Sequence, residues 1–218
     1  MLIKLLYDFF KNNLILRTSS DKPNSMTFDQ IKKKLKTKTV GIAGAGGLGS
    51  NCAVALARSG IGKLIIADFD VVSESNLNRQ YYFYNQIGQI KVNALKENIN
   101  QINPEVHITV HNTKIDRLNF PYIFSECDII VEAFDKAEEK QMLIETALTE
   151  FPKKPIISGL GMAGYGNSNS LRSRQIDNLY ICGDETSEIS EDNPPLAPRV
   201  GIIANMQANL VLEILLNS

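Results

Sequence analysis

Short apolar runs alternate along the chain with longer stretches in which apolar residues recur every three or four positions. The short runs are Thr39–Ala43, Lys63–Ala67, 106–110, 128–133 and 155–159. They are too short for helices, rich in β-branched residues and bounded by glycine or polar turns, so each predicts a buried strand. Between them, 52–58, 86–102 and 138–150 carry helical spacing. In the longest, Ile90, Ala94, Leu95, Ile99 and Ile102 share a face, and Pro104 lies just past its end. This alternation predicts an α/β fold: a doubly wound, Rossmann-like, mostly parallel sheet with helices on both faces.

The ends of the chain read differently. Leu2, Leu5, Leu6, Phe9 and Phe10 recur at helical spacing, 19–25 has linker composition, and Thr27 with Gln30 forms a capping-box signature opening a short basic helix to Lys36. Residues 1–38 are therefore expected to be an N-terminal helical segment and linker, and 39–218 the ligand-binding domain. Gly161, Gly164, Gly166, Asn167 and Asn169 predict a small antiparallel extension. The acidic stretch 182–199, with Pro194 and Pro195, predicts a long crossover loop, and 200–216 a closing amphipathic helix.

Composition narrows the function classes. A hydrophobic content of 44%, a charged content of 22% and a net charge of −1 suit a globular domain with no general attraction for nucleic acid or an anionic membrane. Lys32, Lys33, Lys34, Lys36 and Lys38 read as a solvated face. No apolar run approaches the ~18 residues of a membrane span, so none is expected. Asp8, Lys11, Asn12 and Asn13 interrupt the apolar start, which argues against a signal peptide and for a cytoplasmic location. Cys52, Cys127 and Cys182 are widely spaced, which disfavours a disulfide framework or a four-cysteine zinc site. His107 and His111 share a strand face without a third ligand nearby.

The chemistry gathers at strand ends. After the first strand comes Gly44-Ala45-Gly46-Gly47-Leu48-Gly49, a G-x-G-x-x-G turn followed by a helix. Glycines there let the backbone approach a phosphate, and the helix N-terminus offers unpaired N–H groups. The second strand ends in Asp68, where this fold places a carboxylate for ribose hydroxyls. The fourth strand leads to Asp135.

From Asp68 to Gln80 the chain reads D-F-D-V-V-S-E-S-N-L-N-R-Q, followed by Gly88 to Lys91 and by Ile102-Asn103-Pro104. This resembles the adenylyltransferases of the ThiF/MoeB/HesA type, which activate ubiquitin-like proteins, with the thiamine-biosynthesis type nearest. Asp68, Asp70, Val72, Ser75, Asn76, Leu77, Arg79 and Gln80 match the family's stretch. The resemblance implies ATP and Mg²⁺ as cofactors and a small ubiquitin-like sulfur-carrier protein as partner, with 39–218 as the ATP-binding adenylyltransferase domain. It implies Arg79, Lys91 and Asp135 as catalytic residues, Asp135 holding Mg²⁺. Gly44, Gly46, Gly47, Gly49, Asp68, Asp70 and Asn76 would hold nucleotide, Asn76 near the phosphates. The residue types suit the chemistry, because a carboxylate attacking an α-phosphate needs positive charge to shield two approaching anions. The alternative for Arg79 and Lys91 is a surface ion pair, Arg79 with Asp70 for instance.

Several features depart from the family pattern. Lys136 and Lys140 stand where D-N-x-x-x-R is usual after the fourth strand, and the paired C-x-x-C motifs are missing. An N-terminal R-Y-x-R-Q segment is also missing, leaving Arg17 as the arginine before residue 58 that could serve. Cys182 lies near the region where relatives carry zinc ligands or a sulfur-transfer cysteine. A homodimer is expected, both from the resemblance and from the apolar faces of 1–10 and 200–216. Other readings are an NAD-dependent oxidoreductase, an ATP-dependent dehydratase of a modified tRNA base, and a non-catalytic partner subunit.

Overall fold

The computed structural model describes residues 26–217. The apolar 1–10 segment, Arg17 and the 19–25 linker lie outside the described residues. Strands β1 (Thr39–Ala43), β2 (Lys63–Ala67), β3 (His107–His111), β4 (Ile129–Glu132), β5 (Ile156–Gly159), β6 (Arg172–Ile176) and β7 (Leu179–Gly183) form one sheet. Their order is β3-β2-β1-β4-β5-β7-β6, parallel throughout except for the antiparallel β6–β7 pair. The expected doubly wound sheet with a small antiparallel extension is what the chain forms. After β3 the chain crosses back to the far side of β1, so the order reverses between β1 and β4. That switch point is where a doubly wound fold opens a crevice at the carboxyl ends of its strands.

Among the described residues six helices flank the sheet: α1 (Phe28–Leu35), α2 (Gly47–Ser59), α3 (Lys91–Ile102), α4 (Phe120–Phe124), α5 (Ala137–Glu150) and α6 (Ala197–Asn217). Alternation along the strands sorts the core into two layers. Ile42, Leu64, Ile66, Val131 and Ile157 face Leu48, Leu56, Leu95, Ile99, Ile203 and Val211 of α2, α3 and α6. Ala43, Ile65, Ile130 and Ile156 face Phe120, Phe124, Leu143 and Ala147 of α4 and α5. The capping box of α1 is present, Thr27 Oγ1 accepting from Gln30 N and Gln30 Oε1 from Thr27 N. Cys52 and Cys127 are core residues, as expected.

Two expectations need correction, and one short helix carries no signal in the sequence. The helix expected over 86–102 begins at Lys91, because Gly88 takes φ +87° and Gln86 turns inward to pair with Asn98 of α3 (2.8 Å). Helix α4 has no long periodic signature; Pro at its start and three buried side chains in five residues form it by packing. Helix α6, with 21 residues, is long and apolar enough to cross a membrane by length and composition, against the expectation. Here it is a core helix. Val200, Ile203, Ala204 and Val211 are buried against the sheet and α2, and Arg199 and Gln207 are buried with bonded polar partners.

The crossover segment between β7 and α6 is tied down by one cation. Arg199 donates through Nε to Gly161 O (3.1 Å), through Nη1 to Gly166 O (2.7 Å) and through Nη2 to Asp184 Oδ2 (2.5 Å). Asp184 also accepts from the backbone of Thr186 and Ser187 and from the Ser187 hydroxyl. Burial pushes the Asp184 carboxyl up, but these donors and Arg199 outweigh it and hold the carboxyl below its ordinary value. Removing one partner strands a buried charge, so Arg199→Ala should lower the unfolding free energy in urea by about 3–5 kcal/mol. A depressed carboxyl stabilises the fold above its unfolded-state value and loses that contribution as pH falls through the folded one. Asp184→Asn should therefore flatten the fall in urea midpoint between about pH 5 and pH 2.

Candidate active site

The glycine turn is shaped by its own sequence and by two side chains from elsewhere. Gly44 takes φ +101° and donates its N–H to Ala67 O (2.8 Å), bending the chain sharply out of β1. The next residue, Ala45, is gripped on both sides of its backbone. Its N–H donates to Asp68 Oδ2 (2.6 Å), and its carbonyl accepts from the buried Tyr82 hydroxyl (2.7 Å). Gly46 then starts α2 with no side-chain cap, so the first N–H groups of the helix face the crevice unclaimed by any cap. Gly49 allows that turn to close, since a Cβ there would lie 1.9 Å from Gly44 O.

Between β2 and α3 the chain makes an excursion that delivers the cations. Asn51 donates to Arg79 O (2.9 Å), and the Ser50 hydroxyl accepts from Tyr81 N (3.0 Å), so the first turn of α2 holds Arg79 alongside it. The Arg79 guanidinium rests on Ser75 O (3.2 Å) and Asn78 Oδ1 (2.8 Å) and makes no ion pair among the described residues. Lys91 opens α3, 5% exposed, with Nζ 2.8 Å from Asp70 Oδ2. The ion pair considered from the sequence, Arg79 with Asp70, is thus replaced by Lys91 with Asp70.

These elements enclose a cavity of about 480 Å³ at the switch point. Gly44, Gly46, Gly47, Asp68, Asp70, Arg79, Lys91 and Asp135 all line it, together with Lys114, Lys136 and Glu139 and, from the crossover segment, Ile189, Pro194 and Pro195. Three expected site residues do not line it. Gly49 lies behind the loop in the packing role just described. Asn76 caps the turn Glu74–Asn76, its Oδ1 accepting from Ser73 N (3.0 Å); Ser75 and Asn78 reach the cavity wall instead. Cys182 is fully buried in the core, where burial pushes its thiol up to about 12. Enclosed in this way, the thiol has no surface open to the cavity.

Asp68 is already spoken for by two backbone amides, Ala45 on Oδ2 and Asp70 on Oδ1 (2.7 Å). Burial pushes its carboxyl above the ordinary value, against the pull of those amides and of Lys91. Each oxygen keeps a second lone pair toward the cavity. Asp135 is exposed to the cavity and makes no hydrogen bond or ion pair among the described residues. No group of three or more His, Cys, Asp or Glu side chains converges among those residues. One free carboxylate in a cavity fits Mg²⁺, which takes one or two carboxylates and completes its shell with phosphate oxygens and water.

Sequence reasoning missed Ser50, Asn51 and Tyr82 as builders of the site. The first two stand in the turn after the glycine loop, a usable local signal. Tyr82 meets Ala45 across 37 residues and has none.

An uncapped helix N-terminus at the switch point of a doubly wound sheet places the molecule in the Rossmann-like class of domains. Within that class the chain belongs to the ThiF family, whose model matches residues 21–218. It is 32% identical over 190 residues to the adenylyltransferase and sulfurtransferase MOCS3 of Caenorhabditis briggsae, covering 84% of this chain and 47% of that protein. It is 36% identical over 208 residues to ubiquitin-like modifier-activating enzyme 5 of Xenopus laevis, covering 85% and 52%. The chain spans about half the length of the curated relatives it matches. Among solved structures, the Escherichia coli tRNA N6-threonylcarbamoyladenosine dehydratase TcdA in complex with ATP superposes with a TM-score of 0.78 at 20% identity, covering 87% of this chain and 90% of that one.

The two loop glycines should respond oppositely to a methyl group. A Cβ on Gly46 would meet only Gln80 Nε2 at 3.8 Å, whereas one on Gly49 would strike backbone. Gly49→Ala should cost about 1–3 kcal/mol or more in thermal or urea unfolding, with Gly46→Ala close to neutral.

Proposed function

We propose that the chain is an ATP-dependent adenylyltransferase that activates the C-terminal glycine carboxylate of a small ubiquitin-like sulfur carrier of the thiamine-pathway kind. The observation that carries this reading is a guanidinium without an ionic partner among the described residues, set beside an uncapped helix N-terminus, with Lys91 and a carboxylate unpaired among those residues on the same cavity. Family membership and relatives named as adenylyltransferase and modifier-activating enzyme support it. A hydride-transferring NAD enzyme would share the loop and Asp68 but has no use for Arg79, Lys91 and Asp135 together.

In the proposed reaction a carboxylate oxygen of the carrier attacks the α-phosphorus of ATP. The new P–O bond forms as the bond to the bridging oxygen breaks, and pyrophosphate leaves. Asp68 accepts from the ribose hydroxyls, and the loop amides and first turn of α2 take phosphate oxygens. Arg79 presents a planar fork to the α-phosphate, and Lys91 shares its ammonium between Asp70 and the same group. Asp135 would hold Mg²⁺, which neutralises charge on the phosphates when bound. The apolar crossover residues Ile189, Pro194 and Pro195 wall the side from which the carrier tail approaches. We also propose a homodimer, which light scattering at micromolar concentration decides.

Pyrophosphate–ATP exchange with candidate carrier proteins tests the activity, and calorimetry with ATP and NAD in Mg²⁺ tests the ligand. Binding of NAD in place of ATP would overturn the proposal, and exchange with no carrier would favour a non-catalytic subunit. Activity on a modified tRNA base instead would point to the dehydratase reading. If Arg79 and Lys91 act as charge builds on the α-phosphate, Arg79→Ala or Lys91→Ala should slow adenylate formation by about two to three orders of magnitude, with a much smaller loss of ATP affinity. Arg79→Lys should remain poor, because a point charge cannot reproduce the fork.

A further inference from the structure

Asp135 lines the cavity with no side-chain hydrogen bond or ion pair among the described residues, so its backbone sets its position. That backbone is the turn between β4 and α5, and both ends of the turn meet at one buried carboxylate. Glu132, the last residue of β4, is fully buried. Its Oε1 accepts from Phe134 N (2.8 Å), the residue before Asp135. Its Oε2 accepts from Lys140 Nζ (2.7 Å), from the second turn of α5, and from Ser158 Oγ (2.6 Å) of β5. Lys140 also donates to Gly159 O (3.0 Å), and Gln207 of α6 donates to Glu132 O (2.9 Å). Two strands and one helix thus meet at the carboxyl group, and a second helix holds the Glu132 main chain.

Stability alone does not account for such a pair. Desolvating two charges costs as much as their attraction returns, and apolar residues of similar volume would hold the fold as well. Directional bonds supply what apolar packing lacks, a fixed register for the turn. Ala133 completes it, with its N–H on Ala43 O (2.9 Å) and its carbonyl packed against Gly44, so the turn and the glycine loop share a wall.

We infer that Glu132 and Lys140 are a positioning pair that holds Asp135, and through it Mg²⁺, at the phosphate side of the cavity. The role assigned to Asp135 rests on the adenylyltransferase reading; the clamp on its backbone does not.

The test compares the charge-free pair Glu132→Gln/Lys140→Met with Lys140→Arg, which keeps the charge and the donors. Calorimetry of ATP with Mg²⁺ and with EDTA gives the gain in affinity due to metal. In the charge-free variant that gain should fall roughly tenfold or more, as when an outer partner of a metal ligand is lost, while affinity in EDTA stays nearly unchanged. Lys140→Arg should recover the gain. Equal losses with and without Mg²⁺, or none, would overturn the inference. If the unmutated protein binds no ATP, the proposed function falls, and hydrogen exchange of the ligand-free protein still judges the clamp. The amides of Phe134 and Lys140, which donate to Glu132 Oε1 and to Lys136 O, should lose protection in the charge-free variant and keep it in Lys140→Arg; unchanged protection would overturn the clamp. Should the charge-free pair fail to fold, Ser158→Ala, which removes one donor to Glu132 Oε2, carries the same measurements.

Discussion

The site depends on how the backbone of one residue, Ala45, is held on both sides. A glycine turn is free to adopt many shapes, and Gly44 and Gly49 permit this one without holding it alone. The selection comes from Asp68 on the amide and Tyr82 on the carbonyl, both reaching in from later in the chain. Asp68 is fixed in turn by the end of β2, and Tyr82 by the excursion that Ser50 and Asn51 pin to α2. The loop is therefore tied directly to the acid, and to Arg79 through the excursion that carries Tyr82.

On the other side of the switch point the same job is done with buried charge. Glu132 with Lys140 supports the turn after β4, and Asp184 with Arg199 supports the crossover segment. Both pairs are nearly enclosed, and their oxygens carry additional donors that offset the cost of desolvation. The cavity is thus framed toward β2 by bonds to the Ala45 backbone and by the Lys91–Asp70 pair, and toward β4 and α6 by buried ion pairs. The free groups, Arg79 and Asp135, stand between these supports.

What could be read from the sequence was what is locally encoded. Five parallel strands, the capping box of Thr27 and the convergence of Gly44, Asp68, Arg79, Lys91 and Asp135 follow from patterns within a few residues or from a contiguous motif. What could not be read depends on distant partners. Asn76 has the residue type of a phosphate contact, yet its side chain is spent on Ser73 N. Cys182 is close to the region of interest in sequence, but the β6–β7 hairpin turns it into the core. Lys140 reads as an exposed helical lysine until Glu132 is found beneath it. Helix α6 is apolar enough to mislead by length, and only the polar partners of Arg199 and Gln207 show that it belongs inside a protein.

The charged residues lining the cavity are four acids, Asp68, Asp70, Asp135 and Glu139, and four bases, Arg79, Lys91, Lys114 and Lys136. At a distance beyond the Debye length of about 8–10 Å their fields cancel, so an approaching anion feels little pull from this face. Encounter is left to ordinary diffusion, and discrimination happens only once the ligand is inside. There the balance resolves into separate points of opposite sign, which a molecule carrying phosphates at one end and hydroxyl donors at the other can match and a plain polyanion cannot. A crevice of this kind gives up speed of capture and gains resistance to the many other anions that share its surroundings.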